Sequence, residues 1–152
     1  MTNLILNKEA ILKRINGIQE EVKQMEKAGD VDFSEYEKSD RYKIAEYHLH
    51  RALEGVFNVG THILSRIPGG KADEYRQIAQ NLGKFNIVSK DFANNNLTKM
   101  AKYRNRLVHL YAQVTARETY DIIKNNLGDF EIFLSAIKKV LEKPEDFGLS
   151  FE

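Results

Sequence analysis

The 152 residues contain no cysteine. That excludes a disulfide framework, a thiolate metal site and a cysteine nucleophile. Proline occurs only twice, at Pro68 and Pro144, and both fall where other signals already mark breaks. No apolar run approaches the length of a membrane span, and the first residues lack the apolar stretch of a signal peptide, so a soluble, cytoplasmic protein is expected. Neither sign of charge dominates: 23 Lys and Arg face 22 Asp and Glu, for a net charge of +1. A chain-wide nucleic-acid face is therefore not advertised. The acids are unevenly placed, however. None falls between Asp91 and Glu118, whereas Lys99, Lys102, Arg104, Arg106, His109 and Arg117 do. The local field there favours an anion.

What is present is helical apolar spacing along most of the chain, with no persistent strand-like alternation. We read 1–152 as one domain, long enough to bury a core without metal or cross-link. The expected fold is all-α, an up-and-down bundle of four to five helices. A first helix starts after the N-cap Asn7, runs to about Ala28, and turns Ile11, Ile15, Ile18, Val22 and Met25 inward. A polar loop follows from Asp30 to Ser34. A long second helix starts at Glu35 or Asp40 and ends at Ile67, before Pro68-Gly69-Gly70. The region 73–96 is weaker: a helix near Glu74–Leu82, a break at Gly83, then a turn or two near Lys90–Ala93. Asn94, Asn95 and Asn96 offer an N-cap for a fourth helix, Leu97 to about Gln113. The fifth begins with the capping-box spacing Thr115-x-x-Glu118. Tyr120, Ile123, Leu127, Phe130, Leu134, Ile137 and Leu141 then form a heptad-like seam, with Gly128 inside it as a point of close approach or bending. An irregular tail is expected from about residue 144.

The chemistry concentrates in Y-R-N-R-L-V-H-L-Y, residues Tyr103 to Tyr111. At about 100° per residue, Leu97, Met100, Ala101, Leu107, Val108 and Tyr111 share one arc, while Thr98, Lys99, Lys102 and Arg106 share the other. Asn105 and His109, four apart, stack at the boundary. Arg104 lands near the centre of the apolar arc. A guanidinium there is costly unless paired. Either a carboxylate meets it from the second helix, with Glu46 and Glu54 as candidates, or the face opens on a cleft that receives an anion. Spacing does not choose between them. The other histidines form no metal constellation: His48 and His50 point to different sides, and His62 is alone. The E-x-x-H pairs of di-iron bundles are absent. The stretch I-P-G-G-K follows a helix and reads as a stop, not a phosphate loop. No metal or cofactor is expected.

Arg104, Asn105, His109 and Tyr111 form R-x4-H-x-Y with a polar residue after the arginine. This resembles the HEPN ribonuclease superfamily, and within it the HepT-type toxins of HepT–MntA toxin–antitoxin systems, a type VII-like pair. The size, the helix order, the long second helix Y-K-I-A-E-Y-H-L-H-R-A-L-E-G-V-F-N-V-G-T-H-I-L-S-R and the helix following the motif extend the likeness over residues 5–143. The resemblance implies a metal-independent endoribonuclease, active as a homodimer whose two motifs face each other. It further implies a minimal nucleotidyltransferase antitoxin that adds AMP to the motif tyrosine, here Tyr111.

The residue types suit that chemistry. In metal-free cleavage the RNA 2′-OH attacks the adjacent phosphorus. Histidine can serve as general acid or base near neutral pH. Arginine can fork two N–H groups onto the phosphate oxygens as charge builds. Asn105 would orient the imidazole or bind a phosphate oxygen. One chain offers a single histidine here, so pairing two motifs supplies acid and base together; the seam on the fourth and fifth helices is the expected dimer surface. Lys99, Lys102 and Arg106 are candidates for guiding RNA, against the commoner meaning of such a row as a solvated face. Two other functions compete: a non-catalytic helical dimer that binds a nucleotidyltransferase or nucleotide, and a structural adaptor in which Arg104 is paired and closed off from solvent.

Overall fold

Asn7 begins the ordered helical frame as expected: its side chain accepts from the Ala10 N–H, and helix α1 runs Lys8–Ala28. The computed structural model describes residues 5–109 and 113–151. After α1 come α2 (Phe33–Lys38), α3 (Arg41–Leu64), α4 (Tyr75–Lys84) and the single turn α5 (Lys90–Phe92). A π-helical turn, Ala93–Leu97, leads directly into α6 (Thr98–Val108). Then follow α7 (Ala116–Asn125), α8 (Gly128–Glu142) and a 3-10 turn, Pro144–Phe147. Two short strands, β1 (Ile5–Leu6) and β2 (Ser150–Phe151), pair in parallel and tie the two ends together.

The fold is all-α in its working parts. α1 and α3 lie antiparallel, as their cross-links show: the Asn7 N–H reaches His62, Glu21 meets His48 and Arg51, and Arg41 donates to the Lys27 carbonyl. Gly55 permits this close approach, since a Cβ there would sit 2.7 Å from Ile18 Cγ1. The inward stripe expected for α1 is buried throughout. One contiguous apolar cluster runs from Leu6 to Leu149. Each of its fully buried aliphatic or aromatic side chains stabilises the fold by about 2 kcal/mol. Tyr36 is fully buried in this cluster, and its hydroxyl bonds Thr119 Oγ1 at 2.5 Å, so no polar atom is stranded there.

Several boundaries differ from the sequence expectation. The stretch before α3 is not simple loop: Asp32 caps α2, and Ser39 interrupts the chain before Arg41. α3 ends at Leu64, and Arg66 and Ile67 continue only in tighter i→i+3 turns. Gly83 is not a break. It is buried inside α4, where a Cβ would lie 2.6 Å from that of Ala93. Asn86, at φ 62°, makes the turn instead. Asn94, Asn95 and Asn96 cap nothing. They lie in the π turn, where the extra residue keeps Ala93 and Leu97 both buried. Ser89 is the cap of that region. The fifth helix breaks at Asn126–Leu127, and its seam residues Phe130, Leu134, Ile137 and Leu141 are buried within the chain's own core. That seam is therefore not a surface for a second copy. The tail is not irregular either: Gly148, at φ 71°, turns the chain from the 3-10 turn into β2.

Candidate active site

Arg104 emerges from α6 toward α3, as its place on the apolar arc requires. Glu54, not Glu46, meets it: Nε donates to Glu54 Oε1 at 2.5 Å. The guanidinium also stacks over Tyr75 at the start of α4, 3.9 Å from the ring centroid. His50, one turn before Glu54, brings Nε2 to 3.7 Å of the same Oε1. Arg104 is thus paired but not sealed, for 21% of its side chain stays exposed. Glu54 occupies the Nε side. Nη1 has only a long 3.4 Å contact to the Asn105 side-chain oxygen, and Nη2 has no partner among the described residues. The outer edge of the guanidinium therefore still presents a two-nitrogen fork, the geometry that takes a phosphate.

His109 departs from the expectation. α6 ends at Val108, and His109 adopts extended backbone with φ −93° and ψ 128°. It is exposed. Its N–H still donates to the Asn105 carbonyl at 3.2 Å, so main chain, not stacked side chains, links the two residues. Tyr111, the expected modification site, lies outside the described residues.

Arg106 was a candidate for guiding RNA, but its guanidinium is committed elsewhere. It forks onto both oxygens of Glu118, at 2.5 and 2.9 Å, and also donates to the Gln113 carbonyl. Glu118 simultaneously closes the capping box with Thr115. The Tyr103 hydroxyl donates to the same carboxylate. One carboxylate thereby joins the end of α6 to the start of α7, across the segment that carries His109. The Arg106 guanidinium holds the Glu118 carboxyl down at about 2, from an ordinary 4.5. Burial, with Glu118 beside it, pushes the Tyr103 hydroxyl up. Lys99 and Lys102 are exposed on α6, on the side away from Arg104. Among the described residues no group of three or more His, Asp or Glu could hold a metal ion. Among the described residues no helix is long and apolar enough to cross a membrane.

The family described as ribonuclease HepT-like matches residues 18–137. This chain belongs to that family. The chain is 29% identical over 143 residues to the mRNA nuclease HepT of Shewanella oneidensis, spanning 91% of this chain and 98% of that one. It is 24% identical over 118 residues to the tRNA nuclease HepT of Aphanizomenon flos-aquae, spanning 77% and 80%. Its fold is that of a tri-AMPylated Shewanella oneidensis HEPN toxin solved in complex with MNT antitoxin, with TM-score 0.77, 23% identity, and coverage of 91% of this chain and 99% of that one. A toxin–antitoxin structure with AMP-PNP gives TM-score 0.79 at 22% identity, covering 87% and 99%. HepT-like membership accounts for the helical frame.

What the sequence reading missed is the support. Glu54 was one of two candidate partners, but Tyr75 over the guanidinium, His50 beside Glu54 and the Glu118 clamp at the far end of the motif were not foreseen. The capping box did single out Glu118, but its second duty toward Arg106 is a tertiary contact without a sequence signature.

Proposed function

We propose that this chain is a metal-independent endoribonuclease toxin of a toxin–antitoxin pair. The observation that carries the reading is the outward fork of Arg104, fixed by Glu54 and Tyr75, on the same short segment as the exposed His109 in a HepT-like frame. A scissile phosphate held by Nη1 and Nη2 is attacked by the neighbouring 2′-OH, whose proton passes to a base. The P–O5′ bond breaks, and an acid protonates the leaving oxygen. The products are a 2′,3′-cyclic phosphate and a 5′-hydroxyl. His109 is the ionisable group of the motif, and Asn105 holds its backbone and the edge of Arg104. Lys99 and Lys102, on the far side of α6, add only to the long-range positive field and do not line the path to Arg104.

A single motif supplies one histidine, so acid and base come from two motifs in a homodimer. Exposed apolar side chains at the motif support this arrangement: Val108 is 39% exposed, and Tyr47, 57% exposed, lines an open groove with His50 and Leu107. The partner that silences the enzyme is an MntA-like minimal nucleotidyltransferase, which adds AMP to Tyr111. The added anion occupies the site by volume and charge. Intact-mass measurement after co-production with the nucleotidyltransferase should show the AMP, lost in Tyr111→Phe. Inhibition without any modification would replace this mechanism by plain steric blocking. RNA cleavage by the unmodified protein should be abolished in His109→Ala at unchanged melting temperature. Retained cleavage would favour a different catalytic group, and a strictly monomeric active protein would remove the dimer from the mechanism.

A further inference from the structure

Arg104 needs a route by which RNA arrives, and α6 does not offer one, because Lys99 and Lys102 face away and Arg106 is held by Glu118. A better route lies on the other side of Glu54. An open groove of about 620 Å³ runs between α1 and α3, and Glu54 forms part of its wall. Its floor is lowered at Gly17 of α1, whereas the space beside Gly55 of α3 is filled by Ile18. A Cβ on Gly17 would meet nothing within 4 Å, so that position looks straight into open space.

The charges along the groove are unequal in freedom. Both carboxylates are satisfied internally. Glu21 takes His48 Nδ1 at 2.5 Å and Arg51 Nε at 2.8 Å, and Glu54 takes Arg104. Lys13 and Arg14 are exposed on the opposite rim and have no ion-pair partner among the described residues. With Arg51 they outnumber the two carboxylates by one positive charge, and Arg104, behind Glu54, adds another. The stretch of α1 from Ala10 to Glu21 is about 17 Å long at 1.5 Å per residue, enough for a few nucleotides. Free cations on the rim, an open floor at Gly17 and an anchored arginine behind the Glu54 wall suit an extended polyanion.

We propose that the groove between α1 and α3 is the track along which the phosphate backbone of single-stranded RNA reaches Arg104. Lys13 and Arg14 grip it at one end, and the Glu54–Arg104 pair marks where it meets the motif. This rests on the ribonuclease reading above and names the substrate path for it.

The test uses protein confirmed by intact mass to carry no AMP, in a His109→Ala background that leaves the RNA uncut. Binding of a fluorescein-labelled mixed-sequence 12-mer RNA is followed by anisotropy at several salt concentrations. Lys13→Ala with Arg14→Ala removes two phosphate contacts, and the slope of log affinity against log salt becomes shallower by about 1.4. Gly17→Glu places a carboxylate on the floor and weakens binding about tenfold or more, an order-of-magnitude expectation for adding charge opposed to phosphate. It also replaces a mid-helix glycine, so its melting temperature should hold or rise, which separates lost binding from lost folding. Lys138→Glu on the remote α8 should bind as the parent does. Unchanged slope and affinity in both groove variants would overturn the track, as would loss confined to Lys99→Glu with Lys102→Glu. If wild type cleaves RNA in that second case, only the path is wrong. If wild type neither binds nor cleaves RNA, the ribonuclease reading falls with it.

Discussion

Removing the charge of Glu118 is the perturbation whose outcome the structure specifies most fully. In Glu118→Gln the amide still reaches back to the Thr115 N–H, so the capping box survives. What goes is the charged fork to Arg106. The two side chains are 35 and 29% exposed, so solvent screening brings the pair to about 1 kcal/mol. For a chain of this size that lowers the melting temperature by about 3 °C. Glu118→Ala loses the cap as well, worth about 1 kcal/mol more, so the fall should be about 6 °C. The dependence on pH is the sharper signature. The folded carboxyl titrates at about 2 instead of 4.5. Its stabilisation is complete above 4.5 and is lost as pH falls from there toward 2; at pH 3 roughly two-fifths remains. Urea midpoints of wild type and Glu118→Gln should therefore differ at pH 6, and the gap should shrink to about two-fifths by pH 3. A gap that keeps its size from pH 6 to pH 3 would refute the assignment of this stability to the ionised pair.

Glu54→Gln should leave the fold nearly intact, with about 1 kcal/mol lost, yet lower kcat for RNA by on the order of tenfold to a hundredfold, because the guanidinium fork loses its anchor; a kcat equal to wild type would show that Glu54 does not position Arg104. Gly83→Ala should destabilise by about 1–3 kcal/mol, since the new methyl would lie 2.6 Å from Ala93 Cβ, whereas Gly17→Ala should stabilise by about 0.5–1 kcal/mol; thermal melts decide both. His62 accepts the Asn7 N–H at Nε2, so it must be neutral there, and burial, then Arg66 and Arg14, hold its pKa below 6.5. Its contribution is complete above 6.5 and is lost as pH falls below that value, so urea midpoints at pH 7.5 and 5.5 should differ less in His62→Gln than in wild type. Equal differences in the two proteins would place the acid sensitivity elsewhere.

Features set by local periodicity and capping were readable in the sequence. The inward face of α1, the Thr115–Glu118 box and the stop before Pro68 all depend on residues within a turn or two of one another. Features set by distant contacts were not. The asparagine run resembles an N-cap, yet burial of Ala93 under Gly83 keeps the chain helical through it as a π turn. The seam after Thr115 looks continuous in heptads, but the chain breaks at Asn126, which the spacing of apolar residues does not record. The site divides the same way. The misplaced Arg104 was visible on the helical wheel because a charge on an apolar arc demands a partner. Which carboxylate answers was not visible, since Glu46 and Glu54 lie about 12 Å apart along α3 and the choice depends on how α3 slides and rotates against α6. Arg106 shows the reverse: its row of cations suggested a solvent face, and the fold supplied Glu118 from the next helix.

The central claim is that the Arg104–His109 segment cleaves RNA without metal. The direct measurement is cleavage by wild type and His109→Ala in excess EDTA, from protein shown to lack AMP, with the product ends identified. Wild type should leave 2′,3′-cyclic phosphate and 5′-hydroxyl ends, and the variant should not cleave. Absence of His109-dependent cleavage across varied RNAs, or loss of all activity in EDTA, would contradict it.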